Sequence, residues 1–247
     1  MAEITHKIVS PKEWLEARKQ FLVKEKEFTR LGDQLSQQRR ALPWERVEKE
    51  YQFDGPAGKE SLSDLFAGKS QLAVYHFMFG PEWEAGCPHC SFWADNFNGI
   101  DAHLAARDVS LVAISHAPLQ KLEAFKRRMG WGFKWVSAGE NGFNYDYYVS
   151  FKPAEVAKGE IYQNYRLQPS PLSEVVGISA FYKNSAQEIF HTYSAYQRGV
   201  EPINGTYHWL DLMPKGRDEA GMTFAQGWVR YHDRYGTDYQ GPGGLRP

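Results

Sequence analysis

From Trp14 onward a bulky apolar side chain returns every seven residues, at Phe21, Phe28 and Leu35, with Leu15, Leu22 and Leu31 widening the stripe. Polar and charged residues fill the positions between, a pattern that predicts an amphipathic helix. Ser10-Pro11-Lys12-Glu13 marks its start with an N-capping serine, a proline at the first helical position and a glutamate completing a capping box. A seven-residue repeat serves equally for packing on a partner subunit or for covering the chain's own domain. Pro43 closes the segment.

Beyond it the pattern alternates between strand and helix. Val47 to Phe53 reads as a strand, Asp54-Gly55-Pro56 as a turn, and Ser61-Leu62-Ser63-Asp64 as the capped start of a short helix ending at Gly68. The apolar run Leu72 to Phe79 suits a strand buried on both faces, broken by Gly80-Pro81. After Cys87-Pro88-His89-Cys90, the residues Trp93, Phe97, Ile100 and Leu104 fall on one face of a helix. Val109 to Ile114 is a second buried strand. Pro118 begins a helix with Leu122, Phe125 and Met129 inward and Gly130 at its end. Phe133 to Val136 is a short strand. Residues 138–170 read as aromatic loop, and Ile178–Tyr182 with Glu188–Tyr196 as a hairpin. This order predicts an α/β fold with an open sheet and flanking helices. The expected organisation is an N-terminal helical extension over 1–44, an α/β domain over 45–198, and a C-terminal extension over 199–247 packed on it.

Composition narrows the function. A formal net charge of -1 makes nucleic acid and anionic membrane poor partners. No apolar run approaches the roughly 20 residues of a membrane span. The start, Met1 to Lys7, lacks the charged and apolar regions of a signal peptide, so a cytoplasmic protein is expected. Two cysteines cannot form a disulfide framework, and a close pair in that compartment is catalytic or metal-binding more often than structural.

A Cys-x-x-Cys at the turn from strand to helix is a thioredoxin-like redox signature. Cys87 would meet the unpaired N–H groups at the helix start, which favour a thiolate. Pro88 loses nothing at the first helical position. Cys90, nearly one turn on, can reach back, so Cys87 is expected as nucleophile nearer solvent and Cys90 as resolving thiol. His89, if protonated, would lower the Cys87 pKa further; otherwise it is a spacer. Trp83 would cap the site and touch substrate, or simply pack in its loop. No phosphate-binding glycine pattern follows a strand, so no cofactor is expected. No second ligand pair accompanies the cysteines, so no metal is expected either.

The segment Tyr75 to Ala94, with Leu122 to Trp131, Gly205-Thr206-Tyr207-His208 and Leu212 to Glu219, resembles a bacterial thioredoxin-like family catalogued as domain of unknown function 899. The resemblance covers nearly the whole chain. It implies a thioredoxin-like fold and dithiol–disulfide oxidoreductase chemistry, and carries over to Cys87 and Cys90 alone. Thioredoxins proper place a cis-proline before the strand facing the pair, whereas Glu174-Val175-Val176-Gly177-Ile178 has no proline.

The leading expectation is therefore a thiol–disulfide oxidoreductase acting on a protein or small-molecule disulfide or thiol, with a homodimer through the N-terminal helix as a possible partner arrangement. A peroxiredoxin-like thiol peroxidase is the alternative, against which Gly80 and Glu84 stand where its proline and threonine belong. Metal binding through the cysteines, and a non-enzymatic thioredoxin-fold binding protein, complete the set.

Overall fold

The computed structural model describes residues 5–170 and 172–236. Met1 to Ile4, on which part of the leader reading rests, and residues 237–247 of the expected C-terminal extension lie outside the described residues. The strands are β1 (Glu45–Arg46), β2 (Gln52–Gly55), β3 (Gly58–Ser61), β4 (Gln71–His76), β5 (Val109–Ser115), β6 (Lys134–Ser137), β7 (Glu160–Gln163), β8 (Arg166–Pro169), β9 (Gly177–Lys183) and β10 (Ile189–Tyr196). The helices are α1 (Pro11–Arg40), α2 (Leu62–Leu65), α3 (Pro88–Ala94), α4 (Ile100–Ala105), α5 (Leu119–Arg128), α6 (Phe143–Asp146), α7 (Pro153–Val156) and α8 (Gly205–Asp211).

Eight strands form one sheet in the order β1-β10-β9-β4-β5-β6-β2-β3. β4 runs parallel to β5, with Tyr75 opposite Ala113, and antiparallel to β9, with Val74 opposite Ser179. A parallel strand–helix–strand unit with an antiparallel hairpin added beyond its first strand is the thioredoxin-like arrangement. β6 and the β2–β3 hairpin extend it past β5. The alternation of β4 divides two cores. Leu72 and Val74 join Val112, Ile114 and Phe143 on one face, while Tyr75 and Phe77 join Trp93, Leu122 and Trp135 on the other. α3 and α5 supply side chains to the second face, and so do Tyr207, Val229 and Tyr231 of the C-terminal segment.

Three local expectations change. Val47 lies outside the strands: β1 ends at Arg46 and β2 starts at Gln52. The predicted helix after the cysteines breaks into α3 and α4. The Asn96 side chain donates to the carbonyls of Phe92 at 2.9 Å and Trp93 at 3.2 Å, competing with the next turn, and Gly99 takes a left-handed φ of 87°. The aromatic loop contains α6, α7 and the separate two-stranded sheet β7–β8.

α1 keeps the predicted cap, Ser10 and Glu13 bonding reciprocally, yet none of its residues is buried. Trp14, Phe21 and Phe28 are 60%, 60% and 77% exposed, so the stripe does not cover the chain's own domain. Near its C-terminal end the Arg39 guanidinium lies over the Tyr193 ring at 4.8 Å.

Leu122 is fully buried in the core that α5 closes. Leu122→Ala should leave a cavity there and lower the unfolding free energy by about 2–5 kcal/mol, read by urea denaturation; a loss below ~1 kcal/mol would contradict this packing.

Candidate active site

β4 aims its C-terminal end at the dithiol turn, and backbone bonds fix the path between them. The Phe77 N–H donates to the Ile114 carbonyl at 2.9 Å, Ala117 N–H to Phe79 at 2.8 Å, and Cys87 N–H to the Met78 carbonyl at 3.0 Å. Gly86 passes so close to the core that a Cβ would stand 2.7 Å from Phe77 and 3.0 Å from Phe125. Its carbonyl accepts from the Tyr231 hydroxyl at 2.7 Å. Cys87 then caps α3, with Pro88 at the first helical position, as the sequence predicts.

Both thiols are free and buried, each 2% exposed. Equally buried with Cys90, Cys87 is not the more solvent-exposed of the two, contrary to the expectation from the sequence. The Met78 N–H donates to Cys90 Sγ at 3.4 Å, and the Tyr75 hydroxyl lies beside Cys90, donating to its carbonyl at 3.4 Å. The two thiols are pushed apart in acidity. The Cys90 thiol donates to Cys87, and His89, with Nδ1 3.8 Å from Cys87 Sγ, adds a hydrogen bond and positive charge; together they overcome burial and hold Cys87 well below the usual thiol range. Burial raises Cys90, and the hydrogen bond and charge of Cys87 raise it further. Burial pulls His89 down, but the hydrogen bond and charge of Cys87, with the Gln226 backbone bond, together outweigh it and its pKa is raised.

The pair borders a cavity of about 450 Å³. Phe224 and Gln226 form one wall, the ring of Phe224 standing 5.8 Å from that of His89 and the Gln226 backbone bonding His89. Val175 and Val176 form another, where a proline would stand in thioredoxins. That wall is anchored from behind. The Ser150 hydroxyl donates to Glu174 Oε2 at 2.8 Å, His116 Nδ1 lies 3.2 Å from Glu174 Oε1, and Val175 N–H donates to the Val149 carbonyl at 2.8 Å. The hydrogen bond to Glu174 raises the His116 pKa against its burial, while burial raises that of Glu174. A third wall carries Gln163 and Gln168 from β7–β8, with Gln197 beside them.

The cavity thus gathers Cys87, His89 and Cys90, with Pro88 buried beneath at the helix start. Trp83 is not among its lining residues: its indole packs over Gly80, and its carbonyl accepts from Lys121 Nζ at 3.1 Å. The glutamines and the C-terminal wall were not foreseen; their polar, aromatic surroundings carry no local motif. His76 lies on the opposite sheet face, its Nε2 2.8 Å from Ser179 Oγ, and burial pushes its pKa down to about 3. Among the described residues no three His, Cys, Asp or Glu side chains converge as a metal site, and no helix is long and apolar enough to cross a membrane.

Residues 3–235 match the family described as bacterial protein of unknown function (DUF899). No curated protein matches. Among solved structures, peroxidoxin BcpB of Mycobacterium tuberculosis is similar at 15% identity and TM-score 0.40, covering 67% of this chain and 95% of its own. The bacterioferritin comigratory protein of Xanthomonas campestris is similar at 11% identity and TM-score 0.44, covering 63% and 86%.

The acidity pattern has a direct reading in thiolate absorbance at 240 nm. Cys87 should ionise as pH rises through a value well below that of a free thiol and reprotonate only on acidification below it. Cys90→Ala and His89→Ala should each move that midpoint upward, because each removes a hydrogen bond that holds the Cys87 pKa down. A downward move in either variant would contradict the site.

Proposed function

The chain belongs to the DUF899 family, and for this member we propose a thiol–disulfide oxidoreductase working through Cys87 and Cys90. The observation that carries the reading is the placement of two thiols nearly one helical turn apart, on the same cavity, with opposed acidities. The acidic thiol is the better attacking group near neutral pH; the protonated one waits beside it.

In the forward direction the Cys87 thiolate attacks one sulfur of a disulfide, forming a mixed disulfide and expelling the other half as a thiolate. Cys90 then gives up its proton to that departing thiolate and attacks Cys87 Sγ. The second half leaves, and the protein holds a Cys87–Cys90 disulfide. Two electrons have passed from the dithiol to the substrate, which ends as one thiol and one thiolate that takes its proton from solvent. The reverse sequence oxidises a substrate dithiol. A stabilised Cys87 thiolate favours the reduced protein and so makes the disulfide the more oxidising. Pro88 and His89 are proposed to tune this balance, His89 through its contact with Cys87 and Pro88 by setting the helix start.

Mild oxidation with diamide should close an intramolecular disulfide, seen by mass spectrometry as the loss of two hydrogens and a cross-linked peptide containing both cysteines. Cys90→Ser should instead accumulate mixed disulfides on Cys87, and Cys87→Ser should form neither. Failure of the wild-type pair to close would sink the proposal. A reaction with hydrogen peroxide far faster than that of a free thiol would replace it with the peroxidase reading.

A further inference from the structure

Resting on that redox reading, we propose that the cavity beside the dithiol takes a low-molecular-weight disulfide bearing carbonyl oxygens, such as a disulfide of an amino-acid amide or short peptide, and excludes the disulfides of folded proteins.

Access is the first reason. Exchange requires the incoming sulfur to line up with Cys87 Sγ, and that atom belongs to a residue 2% exposed at the base of a recess. The C-terminal wall is tied down by the Tyr231 hydroxyl on the Gly86 carbonyl at 2.7 Å and by Trp228 set edge-on to Phe92 at 5.3 Å. Two further ties hold its end. Arg128 forms two hydrogen bonds of 2.9 Å to Asp233, and His232 Nδ1 lies 2.7 Å from Asp95 Oδ1. A cystine fixed on a folded protein brings its own backbone and neighbours with it, and these meet the walls before the sulfurs meet. The volume, about 450 Å³, lies within the roughly 300–1,000 Å³ of small-ligand sites.

The lining chemistry is the second reason. The Gln197 amide donates to Gln163 Oε1 and to Gln168 Oε1, both at 3.0 Å, and Gln168 donates to Gln163 Oε1 as well. The Gln197 oxygen accepts from Asn164 at 3.2 Å. All three amide oxygens are therefore engaged. Gln163 Oε1 takes two bonds and is filled, so Gln163 offers a ligand only its two N–H hydrogens; Gln168 keeps one hydrogen beside one acceptor position, and Gln197 one acceptor position. Gln163 is itself 4% exposed, and Gln197 holds its place at a φ of 51°, a strained conformation that persists where the surroundings fix it. Gln163, donor only, calls for an oxygen acceptor on the ligand. Charge adds a constraint. Two charged pairs lie on this lining: Arg198 and Glu201, bonded to each other at 2.8 Å, and the Cys87 thiolate with His89, 3.8 Å apart. They leave no uncompensated charge for a phosphate-bearing ligand, whereas a carbonyl needs none. Met78, Trp93 and Leu172 supply apolar surface for the carbon skeleton.

Single-turnover stopped-flow fluorescence of the reduced full chain tests this with three probes: N,N′-diacetylcystine bis(methylamide), 2-hydroxyethyl disulfide and insulin. Each rate constant is divided by that of dithiothreitol with the same disulfide, which removes intrinsic reactivity. The normalised rate for the cystine amide should exceed that for 2-hydroxyethyl disulfide by about tenfold, the worth of roughly one well-made hydrogen bond. It should exceed that for insulin by a larger factor still. Gln163→Leu should erase the tenfold preference. Insulin reacting as fast as the cystine amide, or a preference that survives Gln163→Leu, would overturn the proposal while leaving the redox reading intact. Failure of all three probes and of diamide to close the Cys87–Cys90 disulfide would overturn the redox reading itself.

Discussion

Met78 holds the dithiol turn with both of its backbone groups. Its carbonyl accepts from the Cys87 N–H at 3.0 Å, and its N–H donates to Cys90 Sγ at 3.4 Å. One residue just beyond β4 thus fixes where α3 begins and gives the buried Cys90 sulfur a partner. The Met78 backbone is fixed in turn by the strands behind it: Phe77 bonds Ile114 at 2.9 Å on one side, and Phe79 accepts from Ala117 at 2.8 Å on the other. The position of the thiols is a property of the central sheet more than of the short helix they open. α3 has only 7 residues, so its dipole is slight. The acidity of Cys87 rests mainly on direct donors, Cys90 and His89.

The sheet has to be rigid for this to work, and its aromatic packing makes it so. Phe77 stands with Trp135 at 4.5 Å and Trp131 at 5.8 Å, and Phe125 with Tyr231 at 5.5 Å. These rings come from β6, the α5–β6 connection, α5 and the C-terminal segment. The same cluster that supports the floor of the site also seats one of its walls.

What could be read from the sequence was whatever is encoded locally. β4 and β5 announce themselves as apolar runs, Pro88 as a helix start, and Gly130 as a helix end with a left-handed φ of 64°. The break after α3 was hidden because Phe97 continues the apolar spacing and is buried, while the Asn96 bonds that compete with the helix leave no periodic trace. The β7–β8 hairpin was hidden twice over. Its turn places Asn164 and Tyr165 at φ of 51° and 64°, where a glycine would have given the turn away. Its inward positions are Ile161 and Gln163, so the buried face reads as half polar. The wall contributed by Phe224, Trp228 and Tyr231 depends on contacts with residues far away along the chain, which no local window registers.

That distance bears on how the molecule is made. Gly86 and Tyr231, whose bond closes the wall, are 145 residues apart. Synthesis runs from the N-terminus, so β4, the cysteines, α5 and β6 emerge before the segment that will cover them. At about 5–20 residues per second, the interval between the two ends of that bond is on the order of ten seconds. Loop closure over such a span comes after the local contacts have formed. During that interval the thiols lack the wall that shields them in the finished fold. The pair is therefore reachable by the thiols and disulfides around the growing chain until that wall closes.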